Sequence, residues 1–150
     1  IPYWQKLVKE GAKELPITDI NMTRFWLKLE QAVEMVLEAI ENMHGGELYV
    51  KKIPSMRMPD LAKAIAPELK TVEVGIRPGE KIHEQMITQA DAPNTIEFND
   101  YYIILPQMDF ENIEYKYPNA KRVAPDFEYH SGNNDRWLTI DEMRKLISEI

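Results

Sequence analysis

The sequence predicts an α/β chain of mixed short strands and helices, and three observations carry that reading. Leu29, Val33, Val36, Leu37, Ile40 and Met43 recur at helical spacing against Lys28, Glu30, Glu34, Glu38 and Glu41. Glu47 to Lys51 and Val72 to Ile76 alternate instead, with the two-residue period of a strand. Helical and extended stretches follow one another without a clean βαβ series, which on pattern alone leaves α+β open beside α/β. The 150 residues, 44% apolar and 29% charged, suit one chain able to bury a core and exclude disordered, collagen-like and coiled-coil readings.

Taken in order, Ile1, Trp4, Leu7 and Val8 mark an amphipathic helix over residues 2–10, with Pro2 in its first turn and Gly11 past its end. A loop or short strand covers Leu15 to Thr18. The long helix runs from about Leu29 to Met43 and stops at Gly45 and Gly46. The strand over Glu47 to Lys51 puts Leu48 and Val50 on one face, and Pro59, Leu61, Ala62, Ile65 and Ala66 then form a helix that Pro67 closes. Val72, Val74 and Ile76 give a strand that ends at Arg77-Pro78-Gly79-Glu80, after which Ile82, Met86 and Ile87 suggest a short helix.

Thr95 to Phe98 and Tyr101 to Leu105 read as two further strands. Residues 106–136 carry Pro106, Pro118, Pro125, Gly132 and several Asn and Asp, so an irregular segment lying over a surface without a core of its own is expected. Thr139-Ile140-Asp141-Glu142 is a capping box, and it opens a C-terminal helix over about 139–150. Several elements lack enough partners within the chain. Because the sequence opens at Ile1 rather than Met, the expectation is a fragment or processed chain whose missing half would supply them.

Charge and composition remove several function classes. Lys and Arg total 18 against 25 Asp and Glu, and a net charge of −7 is the wrong sign for a surface that neutralises nucleic-acid phosphates. The absence of cysteine removes disulfides, thiolate nucleophiles and zinc-thiolate sites. No apolar run approaches a membrane span and no basic-apolar leader opens the chain, so a soluble, cytoplasmic protein without a membrane span is expected. The six glycines form neither Gly-x-Gly-x-x-Gly nor a Walker loop. His44, His83 and His130 show no metal-site spacing, and solvent-facing or capping roles are the default for them.

Two segments have the chemistry of an anion site. Pro78 and Gly79 are the central residues a type II turn requires, so Arg77 and Glu80 are brought side by side beyond a strand. A guanidinium and a carboxylate so placed suit a ligand bearing a diphosphate and a ribose diol; alternatively they pair with each other on a solvated turn. In Asp19 to Trp26, Arg24 stands between a polar loop and the aromatics Phe25 and Trp26. It can bind phosphate while an aromatic walls a nucleotide pocket, or it can be a surface charge beside two core anchors. Ser131-Gly132-Asn133-Asn134-Asp135 is either a polar ligand loop or a plain turn. Tyr117 and Lys121 match Tyr-x-x-x-Lys by count, but Pro118 argues against the helix that pair needs for catalysis.

Leu15-Pro16-Ile17-Thr18-Asp19, Met22-Thr23-Arg24-Phe25-Trp26, Gly45-Gly46-Glu47, Lys52-Ile53-Pro54-Ser55-Met56 and Gly75-Ile76-Arg77-Pro78-Gly79-Glu80-Lys81-Ile82-His83-Glu84 occur in that order. Together with the stretch from Ser131 to Leu138, they resemble the NADP-dependent, inverting UDP-N-acetylglucosamine 4,6-dehydratases of pseudaminic acid biosynthesis. The resemblance extends along essentially the whole chain but covers only the family's C-terminal part. It implies the substrate-binding part of an extended short-chain dehydrogenase, without the N-terminal Rossmann portion that binds NADP and carries the catalytic residues. No catalytic, cofactor-binding or metal residue is then expected in this chain.

The resemblance implies that Arg24 and Arg77 contact the diphosphate of UDP-N-acetylglucosamine and that Glu80 reaches the ribose; Trp26 as a pocket wall, and Ser131 and Asn134 from the polar loop, complete the candidate substrate-binding set. For the complete enzyme it implies hydride removal from C4 to NADP, loss of water across C5 and C6, and hydride return with inversion at C5. Relatives are homo-oligomers, which sets the same expectation here. The competing expectations are a non-catalytic nucleotide-sugar binding or assembly module, a truncated product without function alone, and a retaining dehydratase or epimerase of the same family.

Overall fold

The computed structural model describes residues 1–108 and 116–149, and it confirms a mixed α/β chain. The described residues divide into two units, one formed by Ile1–Trp26, Pro54–Glu84 and Ser131–Ile150 and the other by Leu27–Ile53 and Gln85–His130.

The first unit holds helix α1 (Pro2–Lys9), strands β1 (Glu14–Ile17) and β2 (Thr23–Phe25), strand β4 (Ser55–Arg57), helix α3 (Met58–Ile65), strand β5 (Lys70–Glu73) and the last helix, α4 (Ile140–Ser148). Strands β1 and β5 pair in parallel, from Glu14 opposite Lys70 to Ile17 opposite Glu73. Strands β2 and β4 pair antiparallel, with Arg24 opposite Met56. Leu15, Ile17, Met56, Leu61, Ala62 and Met143 are buried in one core with Trp4, whose indole N–H donates to the Pro16 carbonyl at 3.0 Å. Removing these side chains from water is the main driving term for this unit. At α4 the expected capping box is formed: Thr139 Oγ1 accepts the Glu142 N–H at 3.2 Å, and Glu142 Oε2 accepts the Thr139 N–H at 2.8 Å.

The second unit contains helix α2 (Leu29–Asn42), strand β3 (Leu48–Lys51), strand β6 (Gln85–Ile87), a 3₁₀ turn over Ala92–Asn94, and strands β7 (Thr95–Glu97), β8 (Tyr101–Ile104), β9 (Lys121–Arg122) and β10 (Tyr129–His130). The order β3-β8-β7-β9 forms an antiparallel sheet around Ile96, Ile103 and Leu105. The pair β6 and β10 forms a separate two-stranded antiparallel ladder.

Three expectations change. Residues Gln85–Ile87 are extended rather than helical, because pairing with Tyr129 and His130 gives their backbone partners across a sheet. Three apolar residues near a turn do not separate the two periods. The 106–136 segment is not wholly irregular or superficial: it supplies β9 and β10, and Tyr129 and Ser131 are buried. Residues 109–115 lie outside the described residues. Two strands, β2 and β4, occur where no strand was expected, since three residues are too few to show a period. The apolar stripe of α2 is also largely exposed among the described residues, Leu29 being 76% and Ile40 63% exposed.

Candidate functional site

Arg24, Trp26, Arg77, Glu80, Ser131 and Asn134 all belong to the first unit. Strand β2 positions Arg24, and the backbone around it fixes the guanidinium. Arg24 Nη1 donates to its neighbour's carbonyl on Thr23 at 2.6 Å and to the Ile82 carbonyl at 3.2 Å. Its Nε lies 3.6 Å from Glu84 Oε1. The Arg24 side chain is 24% exposed, so part of its charge still faces water. Such a guanidinium has lost most of its rotamer freedom before any anion arrives.

Ile82 stands two residues beyond the Arg77-Pro78-Gly79-Glu80 turn. Gly79 adopts φ 86°, which a side chain would strain, and the Glu80 N–H donates to the Arg77 carbonyl at 3.0 Å. The Glu80 carboxylate does not pair with the Arg77 guanidinium; Oε2 accepts the Arg77 backbone N–H at 3.2 Å. The carboxylate thus braces the turn, and among the described residues the exposed Arg77 guanidinium has no hydrogen bond or ion pair. Arg24 and the turn are tied to one stretch of backbone, with Ile82 O accepting both Arg24 Nη1 and the Thr23 N–H.

Ser131 is fully buried, and its hydroxyl is engaged by protein. Ser131 Oγ lies 2.6 Å from Thr23 Oγ1, receives the Glu84 N–H at 2.9 Å and reaches the Thr23 carbonyl at 3.2 Å. Asn134 Nδ2 donates to Ser55 Oγ at 2.9 Å and to the Arg136 carbonyl at 3.1 Å, tying its loop to β4. Trp26 packs half-buried against the core of the unit, and its buried indole N–H has no partner among the described residues.

Sequence reasoning passed over three residues of this cluster as site residues. Thr23 Oγ1 lies 2.7 Å from His83 Nδ1, so the half-buried His83 ring is tied into this cluster rather than capping a helix. Glu84 Oε2 accepts the Phe25 N–H at 3.0 Å. Thr23, His83 and Ser131 are 60 and 108 positions apart at the two bonds that join them, and no local pattern signals such a knot. Gly132 shows its constraint only in the fold, where a Cβ would stand 2.6 Å from His83 Nδ1.

Among the described residues no group of three His, Cys, Asp or Glu could hold a metal, and no helix is long and apolar enough to cross a membrane. Among the described residues the helices follow Ile1, Lys28, Arg57 and Thr139, and no glycine loop leads into a helix N-terminus as a dinucleotide cradle does. Such a cradle for NADP is not formed among the described residues. Tyr117 and Lys121 share no helix, Lys121 being in β9.

The family described as "Polysaccharide biosynthesis protein" matches residues 1–106. A UDP-N-acetylglucosamine 4,6-dehydratase (inverting) of Campylobacter jejuni is 45% identical over 99% of this chain and 46% of its own length. A UDP-glucose 4-epimerase of Rickettsia massiliae is 33% identical over 98% of this chain and 44% of its own. Among solved structures, the X-ray structure of Pen from Bacillus thuringiensis superposes with a TM-score of 0.78 at 29% identity, covering 99% of this chain and 44% of that one. The chain spans about half the length of the curated relatives it matches.

Proposed function

We propose, for a chain that belongs to the polysaccharide biosynthesis protein family, that it is the substrate-binding part of a UDP-N-acetylglucosamine 4,6-dehydratase inverting at C5. The observation that carries this reading is the pairing of a backbone-fixed Arg24 with a turn that leaves the Arg77 guanidinium unpaired among the described residues. Two such cations suit the two phosphates of a nucleoside diphosphate. Glu80, held by its own turn, is the candidate for the ribose hydroxyls, and Trp26 for one wall of the pocket. Ser131 and Asn134 act through the loop they fasten. An acidic net charge does not oppose this, because local charge governs a pocket.

These residues grip the part of the substrate that does not react, so they supply binding energy and orientation. NADP supplies the redox chemistry of the reaction when bound, and the described residues offer it no cradle. The same proposal places the protein in the cytoplasm as a homo-oligomer.

The test incubates the full-length protein with UDP-N-acetylglucosamine and NADP. A 4-keto product lighter by one water supports the dehydratase. A 4-epimer favours the second reading, for which the epimerase relative speaks, and no turnover with retained UDP binding leaves a binding module. In the dehydratase, Arg77→Ala raises KM about tenfold or more with kcat little changed, the pattern of lost uniform binding.

A further inference from the structure

We infer that His83 is a positioning residue of this nucleotide site, acting on Arg24 through Thr23; the inference rests on the nucleotide-binding reading. The His83 ring occupies the space a side chain at position 132 would need: a Cβ on Gly132 would stand 2.6 to 2.7 Å from three ring atoms. Packed there, Nδ1 lies 2.7 Å from Thr23 Oγ1. Thr23 is buried, and its carbonyl is the acceptor that Arg24 Nη1 meets at 2.6 Å. The ring thus helps to fix the residue whose main chain holds the guanidinium.

Ser131 closes the arrangement from the other side. Its Oγ contacts the Thr23 hydroxyl at 2.6 Å and the Thr23 carbonyl at 3.2 Å, while the Glu84 N–H donates to it at 2.9 Å. Thr23 is therefore held at both its hydroxyl and its carbonyl. One of these ties comes from the residue after Ile82, whose carbonyl is the second acceptor for Arg24. Loss of the imidazole removes one anchor of Thr23 and opens a space over Gly132. The carbonyl under Arg24 then gains freedom, and the guanidinium loses its fixed direction.

The experiment titrates the full-length protein with UDP and with UMP by calorimetry, alongside a thermal melt of each variant. His83→Asn sets an amide where Nδ1 stood and can serve as donor or acceptor toward Thr23; His83→Gln keeps the polarity but misplaces it. His83→Gln and Thr23→Val are expected to weaken UDP binding about three- to tenfold, the scale of one lost hydrogen bond, while leaving UMP binding nearly unchanged. His83→Asn is expected to restore most of the UDP affinity.

Equal UDP affinity in wild type, His83→Gln and Thr23→Val, or equal losses for His83→Asn and His83→Gln, overturns the positioning role. If a variant fails to fold, the remaining soluble ones decide by the same criteria. Arg24→Ala is the control for the underlying reading. If it leaves UDP binding intact, the nucleotide site itself fails; if it weakens binding and His83→Gln does not, only the role of His83 fails.

Discussion

The Glu84 carboxylate spans two consecutive residues of one strand: Oε1 lies 3.6 Å from Arg24 Nε, and Oε2 accepts the Phe25 backbone N–H at 3.0 Å. One contact is electrostatic and the other positional, and a single substitution separates them. Glu84→Gln keeps an oxygen for the Phe25 N–H but removes the negative charge beside Arg24. The Glu84 side chain is 48% exposed, so solvent screens the pair and its worth to stability is under about 1 kcal/mol. Because that charge also competes with an incoming diphosphate, Glu84→Gln is expected to tighten UDP binding about two- to threefold. Calorimetry checks it, and weaker binding would show that the ion pair, rather than the backbone carbonyls, aims Arg24.

Gly132→Ala tests the packing at the same place. The added methyl would meet the His83 ring well inside contact distance, and the ring is not free to swing because Nδ1 is engaged with Thr23. The expected cost is about 1–3 kcal/mol, the usual range for overpacking, read as a lowered midpoint in denaturant. A neutral result would mean that the ring has room to shift.

In the second unit, Glu47 gives a pH prediction. Burial pushes its pKa up, but the backbone N–H groups of His44, Glu47 and Gly45 and the Tyr117 hydroxyl together outweigh burial and leave it lowered. His44 N and Tyr117 Oη approach Oε1 at 2.6 and 2.8 Å, and Gly45 N approaches Oε2 at 2.5 Å. A carboxylate with a depressed folded pKa contributes stability above its unfolded value and loses it as pH falls through the folded one. Stability should therefore decline as pH drops below about the ordinary value of 4.5. Glu47→Ala should cost about 1–3 kcal/mol at neutral pH and flatten that decline. Urea melts across the acid range provide the measurement, and an unchanged acid slope in the variant would contradict it.

The parts of the fold legible in the sequence are those where one local period dominates. Helix α4 is announced by Thr139 and Glu142, and β7 and β8 by their apolar runs. Residues Gln85–Ile87 were not legible, because their strand exists through Tyr129 and His130, which lie more than forty positions away. The α2 stripe shows a further limit: the pattern gives the helix and its apolar face correctly, but not whether a partner covers that face. Within the candidate site, the Arg77 turn was readable from Pro78 and Gly79 alone. The knot of Thr23, His83 and Ser131 was not, since its bonds join three distant segments.

The most direct test of the central claim is a UDP titration of the full-length protein against its Arg24→Ala and Arg77→Ala variants, each shown by thermal melt to be folded. The account predicts saturable binding in the wild type and a loss of about tenfold or more in each variant, since each removes a charged partner of the diphosphate. Wild-type binding that neither substitution weakens would contradict it and place the nucleotide elsewhere.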